Sequence, residues 1–401
     1  MRWQALPGRG RRLLARLARR ARGTDHKIVT RMPEGPPAGR ALFSYILDPL
    51  LLSAGASIPH SHTHFWESRR IFETLLELGF AVDAIHWTNS AFVPRASYDL
   101  VIDVRLQLER LAPLLPDRAL AILHAETAHW RFYNAAQERR RRELAERRGF
   151  SLSPYKALEP NRAIESADAA TILGNAATRA TYAFAGKPLH PVPISQPFLY
   201  PFPEGKDYAE ARRRFFWFGS GGLLHKGLDR VLELFAGLPD LELTVLGPID
   251  REPEFQRAFR RELYGTPNIR TRGWIDVASA EFREIARTHA ALVYPSCSEG
   301  QNGGTVTCMH AGIVPIVSRE SGVDVTAETG TVLENSSIEE MRARVLEIAR
   351  TSPEALQAKS RRAWGWVREH HTRERFTTGQ RAALLEIVRT LRPALHRSLR
   401  Q

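Results

Sequence analysis

The chain has 401 residues, of which 43% are hydrophobic and two are cysteines, and it carries a formal net charge of +13. That size and composition predict two or three folded domains and set aside global disorder; two cysteines cannot build a disulfide framework or a Cys-based metal cluster, which favours a reducing, cytosolic setting. Eight of the positive charges are arginines within residues 1–22, a segment with no acidic residue, and charge alone leaves nucleic acid, an anionic membrane surface and phosphorylated ligands all open.

Residues 1–30 read as a basic tail. Leu13, Leu14, Leu17 and Ala18 fall on one helical face between arginines, the pattern of a short segment suited to an anionic membrane surface, with a disordered basic tail as the alternative. Arg16 and Arg19 break the apolar core that a secretory signal needs. The longest apolar stretch, 41–58, is interrupted by Asp48 and Pro49 and makes a poor transmembrane span. The expected location is cytoplasmic, peripheral on the inner face of the membrane.

From residue 41 short apolar runs alternate with helical segments, the mark of α/β architecture. The first half predicts strands at 41–46, 80–86, 100–104, 119–123 and 170–173, with a helix at 65–78 stopped by Gly79. Arginines and glutamates interleave over 131–148, which predicts a solvated helix. Six prolines between Pro188 and Pro203 read as an interdomain linker. The alternation then restarts, with strands at 215–218, 241–246, 268–273, 290–294 and 314–318 and helices at 226–236, 254–264, 279–289 and 305–311. Residues 338 to about 395 read as helical. The expected organisation is a tail (1–30), two doubly wound, Rossmann-like domains (41–200 and 208–375) and a C-terminal helix (376–401).

Open parallel sheets bind ligands beyond the carboxyl ends of their strands, so the loops there are the candidates. The strand at 215–218 runs into Gly219-Ser220-Gly221-Gly222, and His225-Lys226-Gly227 opens the next helix. Backbone N–H groups at such a turn, with a lysine beside them, suit a diphosphate, although a tight structural turn has the same composition. The strand at 290–294 ends in Pro295-Ser296-Cys297-Ser298-Glu299-Gly300, and Gly303 and Gly304 precede a helix. A carboxylate there can accept hydrogen bonds from sugar hydroxyls while phosphate approaches the helix N-terminus. On the first-domain side, His124 and Glu126 follow one strand and Arg105 another. His60, His62 and His64 lie in one loop, where polar contacts are expected and a metal is not.

The ordered set Gly219, Lys226-Gly227-Leu228-Asp229, Leu246-Gly247, Gly273-Trp274, Pro295-Ser296, Glu299-Gly300, Ala311-Gly312, Pro315 and Gly322 resembles the C-terminal domain of retaining, GT-B fold glycosyltransferases of family 4 (glycosyltransferases group 1). The resemblance implies an α/β protein of GT-B type, two Rossmann-like domains facing across a cleft. It implies a hexosyltransferase that needs no metal and moves a sugar from a nucleotide-sugar donor to a glycan or lipid-linked acceptor with retention of configuration, and no nucleic-acid partner. His124, Lys226 and Glu299 are the implied catalytic residues. Gly219, Ser220, Gly221, Lys226, Gly300, Gly303, Gly304, Thr305 and Thr307 are the expected donor contacts. Two positions depart from the family pattern: Ser220 stands where an arginine is usual, and Thr307 where a second glutamate is usual. They motivate the alternative, a catalytically inactive GT-B module that binds a sugar nucleotide or glycan.

Overall fold

The computed structural model describes residues 26–53, 56–60 and 62–400. The basic segment 1–22 lies outside them. Two compact units are present among the described residues: one holds 26–128 together with 159–197 and 373–400, the other 129–158 and 198–372.

Among the described residues the first unit contains a seven-stranded sheet in the order β1-β3-β2-β4-β5-β6-β7. The strands are β1 (Ile28–Arg31), β2 (Gly39–Tyr45), β3 (Phe80–His86), β4 (Leu100–Asp103), β5 (Leu120–Ala125), β6 (Ala169–Leu173) and β7 (Leu189–Val192). All are parallel except β1, which runs antiparallel along the edge of β3. Strands β3 to β6 are buried throughout, as expected of parallel strands covered on both faces, and they read as continuous apolar runs for that reason. Helix Thr63–Glu77 crosses between β2 and β3, and Gly79 at φ 98° turns the chain back into β3.

Three strands fall where none is predicted, two of them in this unit and the third, Thr331–Leu333, in the second. β1 occupies the end of the segment read as tail. β7 lies in the proline-rich stretch read as linker, with Pro191 inside it; among the described residues it pairs only with β6, and an edge position tolerates the missing N–H. The C-terminal region forms helices Arg373–Leu391 and Pro393–Ser398. Phe376, Leu384, Ile387 and Val388 of the first of these enter the core of this unit with Ile71, Leu75 and Val192.

The second unit contains a six-stranded, fully parallel sheet in the order β10-β9-β8-β11-β12-β13 among the described residues. Its strands are β8 (Arg214–Phe218), β9 (Glu242–Leu246), β10 (Ile269–Gly273), β11 (Ala291–Tyr294), β12 (Val314–Ser318) and β13 (Thr331–Leu333). That is the doubly wound order, with its reversal between β8 and β11. In the first unit the reversal falls between β2 and β4.

Helix Trp130–Arg148 belongs to the second unit, not to the sheet it follows in sequence. The solvated helix expected at 131–148 is instead docked by charge. Arg147 lies 2.6 Å from the fully buried Asp229 and 3.3 Å from Glu233, Arg148 lies 2.9 Å from Glu262, and Arg230 lies 2.6 Å from Glu143. Arg140 is buried, with one guanidinium nitrogen 2.9 Å from the Pro295 carbonyl oxygen. Arginines that look like a solvated face in sequence therefore seat this helix on helix Leu228–Ala236 and on the loop that leaves β11.

Candidate active site

The reversal of strand order brings the ends of β8 and β11 together, and the loops leaving them carry Lys226 and Glu299. Gly227 makes the approach possible. It adopts φ 73°, and a Cβ there would lie 2.6 Å from the Pro295 carbonyl oxygen and 2.9 Å from Arg140. Lys226 Nζ lies 2.6 Å from Glu299 Oε1 and donates to the Tyr294 hydroxyl at 2.9 Å. Glu299 Oε1 also accepts from Tyr294 at 2.8 Å and Ser296 at 3.0 Å. Burial pushes the Glu299 carboxyl up, but Lys226, His225 and Tyr294 outweigh it and hold it below its ordinary value. Burial beside that carboxylate raises the Tyr294 phenol well above its own.

Asn302 ties this cluster to helix Gly303–His310. Its amide nitrogen donates to the Tyr294 hydroxyl at 2.9 Å, and its oxygen caps the helix by accepting from Thr305 N at 2.7 Å. Thr305 Oγ1 is buried and has no partner among the described residues. Thr307 donates its hydroxyl proton to the Gly303 carbonyl at 2.8 Å. Gly304 packs against Phe218, and Gly300 lies so close to Gly322 that a Cβ on the latter would collide with the Gly300 backbone. His225, pushed down to about 4 by burial, donates from Nε2 to the Ser298 carbonyl, so its Nδ1 accepts from the Cys297 thiol at 3.3 Å.

The glycine-rich turn after β8 already holds an anion, and it is one of the protein's own. Gly222 N and Leu223 N both donate to the Glu252 carboxylate, the latter at 3.1 Å. Gly221 lies under the Tyr155 ring, whose hydroxyl would be 2.3 Å from a Cβ at that position. Gly219 is pressed on the Trp217 ring, and Trp217 in turn donates to the Lys226 carbonyl at 3.1 Å. Ser220 is exposed. The turn thus presents Lys226, while its next two N–H groups are spoken for.

In the first unit a second polar cluster sits at the ends of β2, β4 and β5. Glu126 is central: one carboxylate oxygen meets Arg105, and the other accepts from the Tyr45 hydroxyl at 2.9 Å and from His64 Nδ1 at 2.9 Å. Burial opposes its charge, yet Arg105 and His64 hold its pKa well below the ordinary value. A carboxylate so saturated is an anchor for its neighbours and a poor proton acceptor. Burial works against protonation of His64, but Glu126 and Glu67 raise its pKa overall. Glu67 is itself buried and accepts from Ser195 N at 2.9 Å. His124, fully buried, bonds Thr171 through Nδ1 at 2.8 Å; burial pushes it down to about 4, and its Nε2 has no partner among the described residues.

Lys226 and Glu299 are therefore brought into contact, and His124, Glu126, Arg105 and His64 gather in the first unit. Tyr294, Ser296, Asn302, Tyr45, Glu67 and Glu252 were not among the residues expected from sequence. Ser296 and Asn302 flank Glu299 within three positions, a signal that could have found them; the others converge only through the sheets. Among the described residues no group of three His, Cys, Asp or Glu could hold a metal ion, and no helix is long and apolar enough to cross a membrane.

Residues 212–351 match the family described as Glycosyl transferases group 1, a segment that contains the whole Lys226–Glu299 cluster. Over this segment the chain is similar to a group 1 glycosyltransferase domain. The chain has the GT-B fold, which it shares with solved structures of low sequence identity. Sucrose-phosphate synthase from Thermosynechococcus elongatus aligns with TM-score 0.60 at 14% identity, covering 91% of this chain and 100% of that one. Anabaena Alr3699/HepE, solved in complex with UDP and glucose, aligns with TM-score 0.52 at 13% identity over 88% and 100% of the two chains. TarM aligns with TM-score 0.52 at 11% identity over 72% of this chain but only 54% of TarM, so this chain spans about half of that protein's length. A search of curated protein sequences returned no match.

Proposed function

We propose that the protein is a glycosyltransferase that moves a sugar from a nucleotide-sugar donor to a glycan or lipid-linked acceptor. The observation that carries this reading is the Lys226–Glu299 pair at the reversal point of the second sheet, inside the segment that matches the group 1 family. Lys226 would meet the diphosphate and stabilise the charge that develops on it as the sugar leaves. Glu299 Oε2 would take sugar hydroxyls, since Oε1 keeps the Tyr294 and Ser296 donors. The N-terminus of helix Gly303–His310 adds the oriented N–H groups of Gly303 and Gly304, and the Thr305 hydroxyl, which has no partner among the described residues, can add a further contact. His124 is the first-unit candidate for a sugar contact, through Nε2, which has no partner among the described residues.

Retention of configuration and independence from metal enter this reading from the sequence resemblance, with Lys226 as the charge that faces the leaving diphosphate. A peripheral position on an anionic inner membrane face rests on residues 1–22, and flotation with liposomes of the full chain and of a chain lacking them tests it. The Anabaena relative's complex with UDP supports trying uridine donors first. Thermal shift with UDP, GDP, ADP and their sugars, followed by assay of released nucleoside diphosphate, tests the proposal: one nucleotide class stabilises the fold and is turned over. Stabilisation without release would favour the second reading, a binding module without transfer, for which Ser220 and Thr307 are the motive. No stabilisation by any of them would remove both.

A further inference from the structure

The ammonium expected to meet the donor's diphosphate is already engaged. Lys226 Nζ is 2.6 Å from Glu299 Oε1 and 2.9 Å from the Tyr294 hydroxyl, and the lysine and glutamate side chains are 9% and 18% exposed. A carboxylate in such a place needs its cation: breaking a largely buried pair by removing one partner leaves an uncompensated charge. When Lys226 turns to a diphosphate, Glu299 loses its strongest partner and faces added negative charge at close range. The hydroxyls of a transferred sugar can replace the lost donor. A free nucleoside diphosphate has no sugar to offer at that end.

We propose that Glu299 discriminates between the nucleotide sugar and the nucleoside diphosphate by competing with the diphosphate for Lys226. With the sugar attached, its hydroxyls satisfy Glu299 and Lys226 is released to the phosphates. Once the sugar has been transferred, Glu299 recaptures Lys226 and the nucleoside diphosphate is expelled. Tyr294 supports the exchange because its hydroxyl contacts both partners and donates to Glu299 whichever ligand Lys226 holds. The proposal rests on the donor reading above and specifies how that site tells substrate from product.

The test is calorimetric titration of the full chain with UDP against UDP-glucose, GDP against GDP-mannose and ADP against ADP-glucose, using the pair that binds. In Glu299→Gln the carboxylate charge is gone, so the nucleoside diphosphate tightens by about tenfold while the nucleotide sugar does not, and the preference for the sugar form collapses. Glu299→Ala shifts the ratio the same way, so either variant that keeps the wild-type circular dichroism and melting suffices. An unchanged ratio, or weaker binding of the nucleoside diphosphate in the folded variant, overturns the proposal. Lys226→Ala separates the two levels of the account: it weakens both ligands if the donor reading holds. No effect of that variant on either ligand overturns the donor reading itself.

Discussion

Tyr294 donates its hydroxyl proton to Glu299 at 2.8 Å while the same oxygen accepts from Lys226 and from Asn302, each at 2.9 Å. One phenol thereby joins the cation, the carboxylate and the cap of the helix that follows. Tyr294→Phe removes that oxygen and keeps the ring. The expected result is a stability loss of about 1–2 kcal/mol by urea unfolding and a loss of nucleoside diphosphate affinity of about fivefold or more by calorimetry. Unchanged affinity would show that Lys226 holds its place without the phenol.

Gly227 tests the backbone that presents Lys226. Its positive φ and the 2.6 Å separation between a Cβ and the Pro295 carbonyl oxygen leave no room for a side chain. Gly227→Ala is expected to cost about 2–4 kcal/mol, from left-handed strain together with overpacking, and to lower binding of the nucleotide along with stability. Urea unfolding and calorimetry on the same preparation check both.

The docked arginine helix makes a third prediction. Asp229 is fully buried between Arg147 at 2.6 Å and Arg140 at 3.9 Å. Asp229→Asn leaves two guanidinium groups short of their carboxylate and should destabilise the second unit by about 3 kcal/mol. Adding Arg147→Met should recover part of that loss in a double-mutant cycle, and purely additive effects would contradict the coupling.

The first-unit cluster predicts opposite pH dependences for two histidines. His64 is held above the ordinary value of 6.5, so its contribution is fully present below 6.5 and is lost as pH rises through its folded value. His124, pushed down from 6.5 to about 4, contributes above 6.5 and loses that contribution as pH falls toward 4. Urea unfolding across pH should therefore lose its alkaline slope in His64→Ala and part of its acid slope in His124→Gln. Identical profiles in wild type and variants would contradict both assignments.

Most of the fold was legible because parallel strands buried on both faces leave continuous apolar runs. Phe80–His86 and Val314–Ser318 have the predicted limits, and several other strands shift by a residue or two. β1, β7 and β13 were not legible: an edge strand of three or four residues needs no apolar run, and Pro191 argues locally for a linker. The long predicted helix at 254–264 divides into Pro253–Ala258 and Arg260–Gly265. The placement of helix Trp130–Arg148 was hidden because its partners, Asp229 and Glu262, lie some eighty or more positions away. Of the site, Lys226 and Glu299 stood out through glycine spacing at strand ends. Tyr294 read as a core residue ending β11, and nothing in the spacing of Gly222 indicates that its N–H goes to Glu252.

The central claim is that Lys226 serves the diphosphate of a nucleotide-sugar donor. The most direct measurement is release of nucleoside diphosphate from the donor identified by thermal shift, compared between wild type and Lys226→Ala at matched folding. The account predicts clear release by the wild type and a fall of about a hundredfold or more in the variant; equal release by the two proteins would contradict it.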